Sequence, residues 1–306
     1  MRFFSGVLRS KQTCSPAPPQ PTVRLGRTYL AGVPYLLPGD EQEKGRLNFQ
    51  HHFLHELLHG QYLAPIPAET DALLDVGCGT GIWMRDMARL FPRAEVVGLD
   101  IKLPTCTLPP PANCRFVQGN VLDGLPFPAQ HFAFTHQRLL VAAIPALHWP
   151  FVVSEMARVT RPGGFVELVE ASDIFTNTGP ATATLLGWWR LAARQTGFDA
   201  SLMAHLDTML LNAGLHGVVG RQLRVPLGRW AGRWGEGMAK DLHAVFVGLQ
   251  GFLCSQLALP EEQYDQVTAT LQHEWNSYQT HIDFYVAYGQ KKREGETHEA
   301  DTAHLA

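Results

Sequence analysis

The run Leu73-Leu74-Asp75-Val76-Gly77-Cys78-Gly79-Thr80-Gly81-Ile82-Trp83 constrains the fold more than any other segment of the chain. An apolar stretch of strand length ends in a carboxylate, passes through three alternate glycines, and enters a segment of helical pattern. Glycines at 77, 79 and 81 permit backbone dihedrals that other residues avoid, and they carry no Cβ to hold a ligand off the main chain. A nucleotide-like molecule can then lie directly on the turn. The dinucleotide fingerprint G-x-G-x-x-G requires glycine at position 82, where this chain has Ile82, so a pyrophosphate cradle is not what the turn encodes.

The downstream spacing continues the pattern. A helix from Ile82 to Phe91 stops before Pro92, and the apolar strand Glu95-Val96-Val97-Gly98-Leu99 finishes in Asp100. A carboxylate at that strand tip is placed to accept hydrogen bonds from ribose hydroxyls. A third strand, Arg115 to Gly119, leads into Asn120-Val121-Leu122-Asp123. Then come Phe132-Ala133-Phe134-Thr135-His136, a helix from Phe151 to Thr160, and Arg161-Pro162-Gly163-Gly164 feeding Phe165 to Val169. This succession resembles the class I methyltransferases that use S-adenosylmethionine (SAM) and release S-adenosylhomocysteine. Further motifs narrow the likeness: Tyr35-x-Leu37-Pro38-x-Asp40, Arg46-Leu47-x-x-Gln50-His51-His52, Phe134-x-His136-x-Arg138, Gly179-Pro180 and Phe284 to Gly289. Together they resemble the LaeA and UMTA-type methyltransferases of secondary metabolism, over about residues 33 to 292. Asn120-Val121 stands in place of a more acidic pair, and Gly163-Gly164-Phe165 in place of a Gly-Gly-Trp turn.

The resemblance implies an α/β, Rossmann-like class I fold: a seven-stranded, mostly parallel sheet with helices on both faces, an N-terminal helical lid, and a helical insertion between strands six and seven. The corresponding division of the chain is a disordered arm over 1–28, a lid over 29–66, a SAM-binding domain over 67–290 with a cap insertion near 228–280, and a disordered tail over 291–306. Asp40 is the N-cap expected for the lid helix, whose apolar face carries Leu47, Leu54, Leu57 and Leu58. The resemblance also implies the cofactor contacts: Tyr35, Arg46, His51, Asp75, Gly77, Gly79, Gly81, Asp100, Ile101, Gly119, Asn120, Val121, Thr135 and Gln137. His136, just past the fourth strand, is the candidate general base or else packs the cofactor or hydrogen-bonds the backbone, and Arg138 is the group that fixes substrate or holds Glu170. Asp173 and His281 are weaker candidates at the rim. The aromatics of the insertion, Trp230 and Trp234 among them, wall either the pocket or a small core of their own.

Composition bounds the remaining choices. The chain has 306 residues, 45% of them hydrophobic and 17% charged, with a net charge of −3. No apolar run reaches the roughly 18 residues that a membrane span needs, and the basic face of a nucleic-acid binder is absent. The expected partner is a small-molecule substrate, with neither nucleic acid nor membrane; the sequence sets no oligomeric state. Cys14, Cys78, Cys106, Cys114 and Cys254 have neither disulfide nor zinc spacing, which fits a reducing cytoplasm. His51, His52, His55 and His59 share helical faces, yet a neutral helix face explains them as well, and no metal is expected. Residues 1–39 contain no Asp or Glu. The basic, acid-poor start around Arg2, Arg9 and Lys11 has the composition of either a plain tail or an organellar presequence.

Overall fold

A computed structural model describes residues 21–33, 35–104 and 109–293. Residues 1–20 of the expected arm, the expected tail from 294 onward, Cys14 and Cys106 lie outside the described residues.

Two short strands open the described chain, β1 (Thr22–Arg24) and β2 (Arg27–Tyr29), paired antiparallel. Residues 21–28 therefore do not belong to a disordered arm. Leu25 and Gly26 take positive φ angles of 50° and 71° at the turn, the twist a two-residue hairpin needs. The hairpin is pinned from both sides: Arg24 donates to Gly251 O (3.0 Å), Tyr29 Oη donates to Gly248 O (2.8 Å), and Arg27 forms a two-pronged ion pair with Asp40 at 2.6 and 2.9 Å. Asp40 also caps helix α1 (Glu41–Leu58) by accepting from Glu43 N at 3.0 Å.

The main sheet follows as β3 (Ala72–Val76), β4 (Glu95–Asp100), β5 (Cys114–Gln118), β6 (Phe132–Arg138), β7 (Thr160–Thr176), β8 (Leu215–Pro226) and β9 (His281–Lys291). Its order is β5-β4-β3-β6-β7-β9-β8, with β9 antiparallel to both neighbours and the other pairs parallel. The expected tail begins later than position 291. Lys291 ends β9, and its ammonium donates to the carbonyls of Ala157 and Thr160 at 2.6 and 2.7 Å.

Helix α2 (Ile82–Leu90) covers one face of the sheet, packing Trp83, Met84 and Met87 on Leu73, Val96, Phe134 and Phe165. Helices α3 (Trp149–Val159) and α5 (Leu206–Asn212) cover the other face, against Leu74, Val76, Val97, Val166 and Leu168. Successive strand residues alternate between faces. Asp75 and His136, paired in register, therefore lie on the α2 side, while Thr135 and Gln137 lie on the α3 side.

Helices α4 (Pro180–Thr196), α6 (Gly232–Leu257) and α7 (Glu261–Tyr278) form a further layer with α1, filled by Trp189, Phe246, Tyr264, Leu271 and Trp275. Helices α6 and α7 lie between the last two strands in sequence. No described helix is long and apolar enough to cross a membrane.

Candidate active site

A cavity of about 710 Å³ opens beyond the carboxyl ends of β3, β4 and β6, where open α/β sheets place their ligands. Its floor is the glycine turn, its sides are Asp100 to Pro104 and Gly119 to Val121, and its far wall runs from Arg138 to Leu140 with Ala143. Residues from Leu30 to His52 supply the roof. The roof is stitched down: Thr80 Oγ1 donates to Asn48 Oδ1 (2.7 Å), Lys102 Nζ donates to Gly39 O (3.1 Å), and Leu36 N donates to Ala142 O (3.2 Å).

The three turn glycines have φ angles of 71°, 54° and 73°, which explains the residue type at each. Their surroundings differ. A Cβ on Gly79 meets nothing closer than Leu47 at 3.7 Å and faces the cavity, whereas one on Gly77 strikes Leu140 at 2.5 Å and one on Gly81 strikes Phe116 at 2.6 Å. Gly77 lines the cavity, but Gly81 does not. Gly81 serves close packing, so its expected cofactor contact is corrected.

Asp100 binds the turn and its own strand end, accepting from Gly79 N at 2.8 Å and Lys102 N at 3.0 Å. Burial pushes its pKa up, opposed by those backbone N–H groups. Ile101, Gly119, Asn120 and Val121 line the neighbouring wall. The Asn120 side chain is occupied in capping the short turn at 121–123, accepting from Leu122 N at 3.1 Å. Tyr35 lines the cavity too, and burial raises the pKa of its phenol.

His136 is placed differently from the expectation. It is 1% exposed, its Nδ1 lies 2.9 Å from Asp75 Oδ1, and its ring stacks on Trp83 with centroids 4.0 Å apart and planes 4° from parallel. It does not line the cavity, whereas Asp75 does. Burial holds the imidazole pKa below its ordinary value. Its assignment as general base is corrected: the ring is sandwiched under the strand end and orients Asp75. Thr135 and Gln137 are corrected for the reason given by strand alternation. The first pairs with Thr160 Oγ1 at 2.8 Å, and the second donates to Glu170.

Arg138 ends the same strand one pleat beyond His136 and reaches the cavity. It does not hold Glu170. Its Nη2 donates to His51 Nδ1 at 2.9 Å, and His51 Nε2 lies 2.9 Å from Asp86 Oδ2. His51 therefore stands behind the cavity wall and supports Arg138, and its direct cofactor contact is corrected. Burial, together with the charge of Arg138, pulls the His51 pKa down to about 4, so near neutral pH the ring is uncharged and its Nδ1 is free to accept. Among the described residues, no group of three or more His, Cys, Asp or Glu is arranged to hold a metal ion.

Arg46 is likewise taken up inside the roof. It pairs with Glu43 at 2.7 Å and Asp241 at 3.1 Å, and Gln50 Nε2 donates to the second Asp241 oxygen at 3.0 Å. It does not line the cavity, so its cofactor contact is corrected. No described residue of α6 or α7 lines the cavity either. Trp230 and Trp234 stay more than one-third exposed, and the insertion acts through Asp241, which anchors α1. Asp173 is bound to Arg190 at 2.7 Å, and neither it nor His281 lines the cavity.

Sequence reasoning gave Glu170 the wrong partner and assigned Glu167 no role. Glu170 accepts from Gln137 Nε2, Leu140 N (2.7 Å) and Val141 N (3.1 Å), which shapes the far wall. Burial pushes its pKa up to about 8. Glu167 accepts from Leu63 N (2.8 Å) and Ala64 N (2.6 Å), fastening the segment after α1 to the sheet. Two acids three residues apart inside an apolar strand are the sequence signal for such tethers.

The residues present fit SAM. The cavity has the size of a small-molecule site, an open glycine face at Gly79, acceptors at Asp75 and Asp100 for amine and hydroxyl groups, and apolar Ile101, Leu103 and Val121 for a planar ring.

The family described as a methyltransferase domain matches residues 73–164. Methyltransferase pytC of Aspergillus terreus is 29% identical over 214 residues, covering 66% of this chain and 63% of that protein. The chain thus spans just under two thirds of this relative's length. The secondary metabolism regulator LAE1 of Cochliobolus heterostrophus is 31% identical over 235 residues, covering 69% of this chain and 75% of LAE1. A methyltransferase from an antibiotic biosynthesis pathway of Anabaena variabilis, described as putative, shares the fold with a TM-score of 0.51 at 15% identity, covering 78% of this chain and 96% of that one. With the strand order, the glycine turn and the cavity above it, these similarities show that the chain belongs to the LaeA-type family of class I, SAM-dependent methyltransferases.

Proposed function

We propose that the protein transfers a methyl group from SAM to an oxygen or nitrogen atom of a small molecule, a secondary metabolite. The observation that carries this reading is the continuity of one cavity. It joins the glycine turn and Asp100 to a second stretch of wall formed by Tyr35, Leu139, Leu140 and Ala143, so cofactor and acceptor share a single enclosure. When bound, the cofactor supplies a methyl group activated on a sulfonium.

The chain's own residues bind, orient and exclude water. Asp100 offers its carboxylate to ribose hydroxyls, Ile101 and Val121 offer apolar surface to the adenine, and the backbone at Gly77 and Gly79 receives the methionine portion. The roof over 30–52 keeps water from the acceptor, and holding the two reactants together accounts for much of the rate, roughly 7–11 kcal/mol in well-aligned cases. For a hydroxyl acceptor, the candidate proton acceptor is His52, an imidazole that lines the cavity.

A second reading, a regulatory or protein-directed enzyme, is favoured by the similarity to LAE1, which is named as a regulator. Incubation with isotopically methyl-labelled SAM, followed by mass spectrometry, separates the two. Label in a small molecule from a metabolite extract supports the first reading, and label confined to protein replaces it with the second.

A further inference from the structure

Among the described residues, Arg138 makes one hydrogen bond, to a neutral partner. Its Nη2 donates to His51 Nδ1 at 2.9 Å, and among the described residues it makes no ion pair. The contrast with Arg46 is direct. Arg46 is equally enclosed by the roof, yet carboxylates of Glu43 and Asp241 reach it at 2.7 and 3.1 Å. A guanidinium has five N–H donors, and an enclosed cation without a counter-charge is costly. Desolvation pulls the pKa of Arg138 down, while the charges of Asp75 and Asp86 push it up without forming an ion pair with it.

The support behind it is complete. His51 has a fully buried side chain, and its Nε2–H donates to Asp86 Oδ2 at 2.9 Å. Gln61 Nε2 donates to the same oxygen at 3.0 Å, and Arg89 holds the other Asp86 oxygen at 2.6 Å. With Nε2–H committed to Asp86, the Nδ1 lone pair must accept from Arg138. This row of side chains fixes the guanidinium plane and offers it no negative charge within ion-pair reach. Arg138 lines the cavity on the wall that adjoins Gly77 through Leu140, where the methionine portion of the cofactor is to lie.

We infer that Arg138, held by the Asp86–His51 pair, is the site for a carboxylate, and that this carboxylate is the α-carboxylate of the methionine portion of SAM. The inference rests on the cofactor site proposed above. Planar two-pronged pairing suits arginine and carboxylate, and binding supplies the direct ion pair that neither Asp75 nor Asp86 makes. His51 and Asp86 act here as positioning residues, one step removed from the ligand.

Binding of SAM and of decarboxylated SAM to the full chain, measured by titration calorimetry without acceptor, tests this. The two ligands share adenosine, sulfonium and amine and differ in the carboxylate. The wild type should bind SAM at least about tenfold more tightly. Arg138→Gln should bring the two affinities to within about twofold of each other, and Arg138→Lys, which keeps the charge but not the fork, should fall between. Asp100→Ala should weaken both ligands in parallel and preserve their ratio. A wild type that does not distinguish the ligands overturns the inference and leaves the guanidinium to a carboxylate on the acceptor. So does an Arg138→Gln variant that weakens both equally. The ratio is read within each folded protein, so reduced stability of a variant does not mimic the result. Failure of the wild type to bind either ligand would instead remove the cofactor site itself.

Discussion

His136 and Asp75 face each other in register across β6 and β3, joined by a 2.9 Å hydrogen bond on the side of the sheet covered by Trp83. The imidazole sits beneath the cavity and the carboxylate opens into it. His136→Ala should therefore act on the fold and on cofactor binding together. Loss of the stacked ring and of a buried hydrogen bond should cost about 2–4 kcal/mol of stability. Urea unfolding should show this loss, and SAM affinity should fall with it. Unchanged stability with loss of turnover alone would return His136 to the chemistry.

The carboxylate of Glu274 occupies the place that a Cβ on Gly179 would take. From α7 it accepts from Ala181 N at 2.7 Å, Thr182 N at 2.8 Å and the Thr182 hydroxyl, so it caps α4, whose own N-cap has no side chain. Glu274→Ala should cost about 2–4 kcal/mol by leaving these buried donors unpaired. Gly179→Ala should cost about 1–3 kcal/mol by displacing the carboxylate. Because both act on one contact, the double variant should lose less than the sum of the two, measured by a double-mutant cycle.

Much of the architecture is legible in the sequence because it rests on local pattern. Asp40 caps its helix, the glycine turn follows an apolar strand, and Asp100 ends the next strand, all within a few residues of the signal. The site was less legible where a side chain's direction decided its role. Thr135, His136 and Gln137 are consecutive, yet the pleat sends the middle one to the opposite face, and the stacked Trp83 then seals it from the cavity. Arg46 and His51 were drawn inward by partners far along the chain, Asp241 and Asp86. The hairpin at 22–29 lay hidden beside a proline-rich stretch, and its anchors, Gly248 and Gly251, are more than two hundred residues away.

The low pKa of His51, about 4 against 6.5 for an ordinary imidazole, links stability to pH. The folded pKa is depressed, so the unfolded chain binds a proton that the folded chain refuses. The stability contribution of the neutral ring is complete above about pH 6.5 and is lost as pH falls toward about 4. The loss of unfolding free energy between about pH 7 and about pH 5 should be larger in the wild type than in His51→Gln, by about 1–2 kcal/mol. Equal losses in both proteins would show that His51 is not held neutral.

Asp40 joins two tasks, capping α1 and pairing with Arg27, and these hold its carboxyl down at about 2. Asp40→Ala should destabilise the protein by about 1–2 kcal/mol. Because the affected segment roofs the cavity, SAM affinity should fall as well, whereas Asp40→Asn should recover most of the cap. Loss of stability without any change in SAM binding would separate the hairpin from the roof.

If the cavity above the glycine turn is a SAM site, titration calorimetry of the full chain with SAM, repeated with Asp100→Ala, will show it. The wild type should bind SAM with micromolar affinity, weakened by about 1–3 kcal/mol when the Asp100 carboxylate is removed. Binding of NADH with no binding of SAM, or SAM affinity indifferent to Asp100, would contradict it.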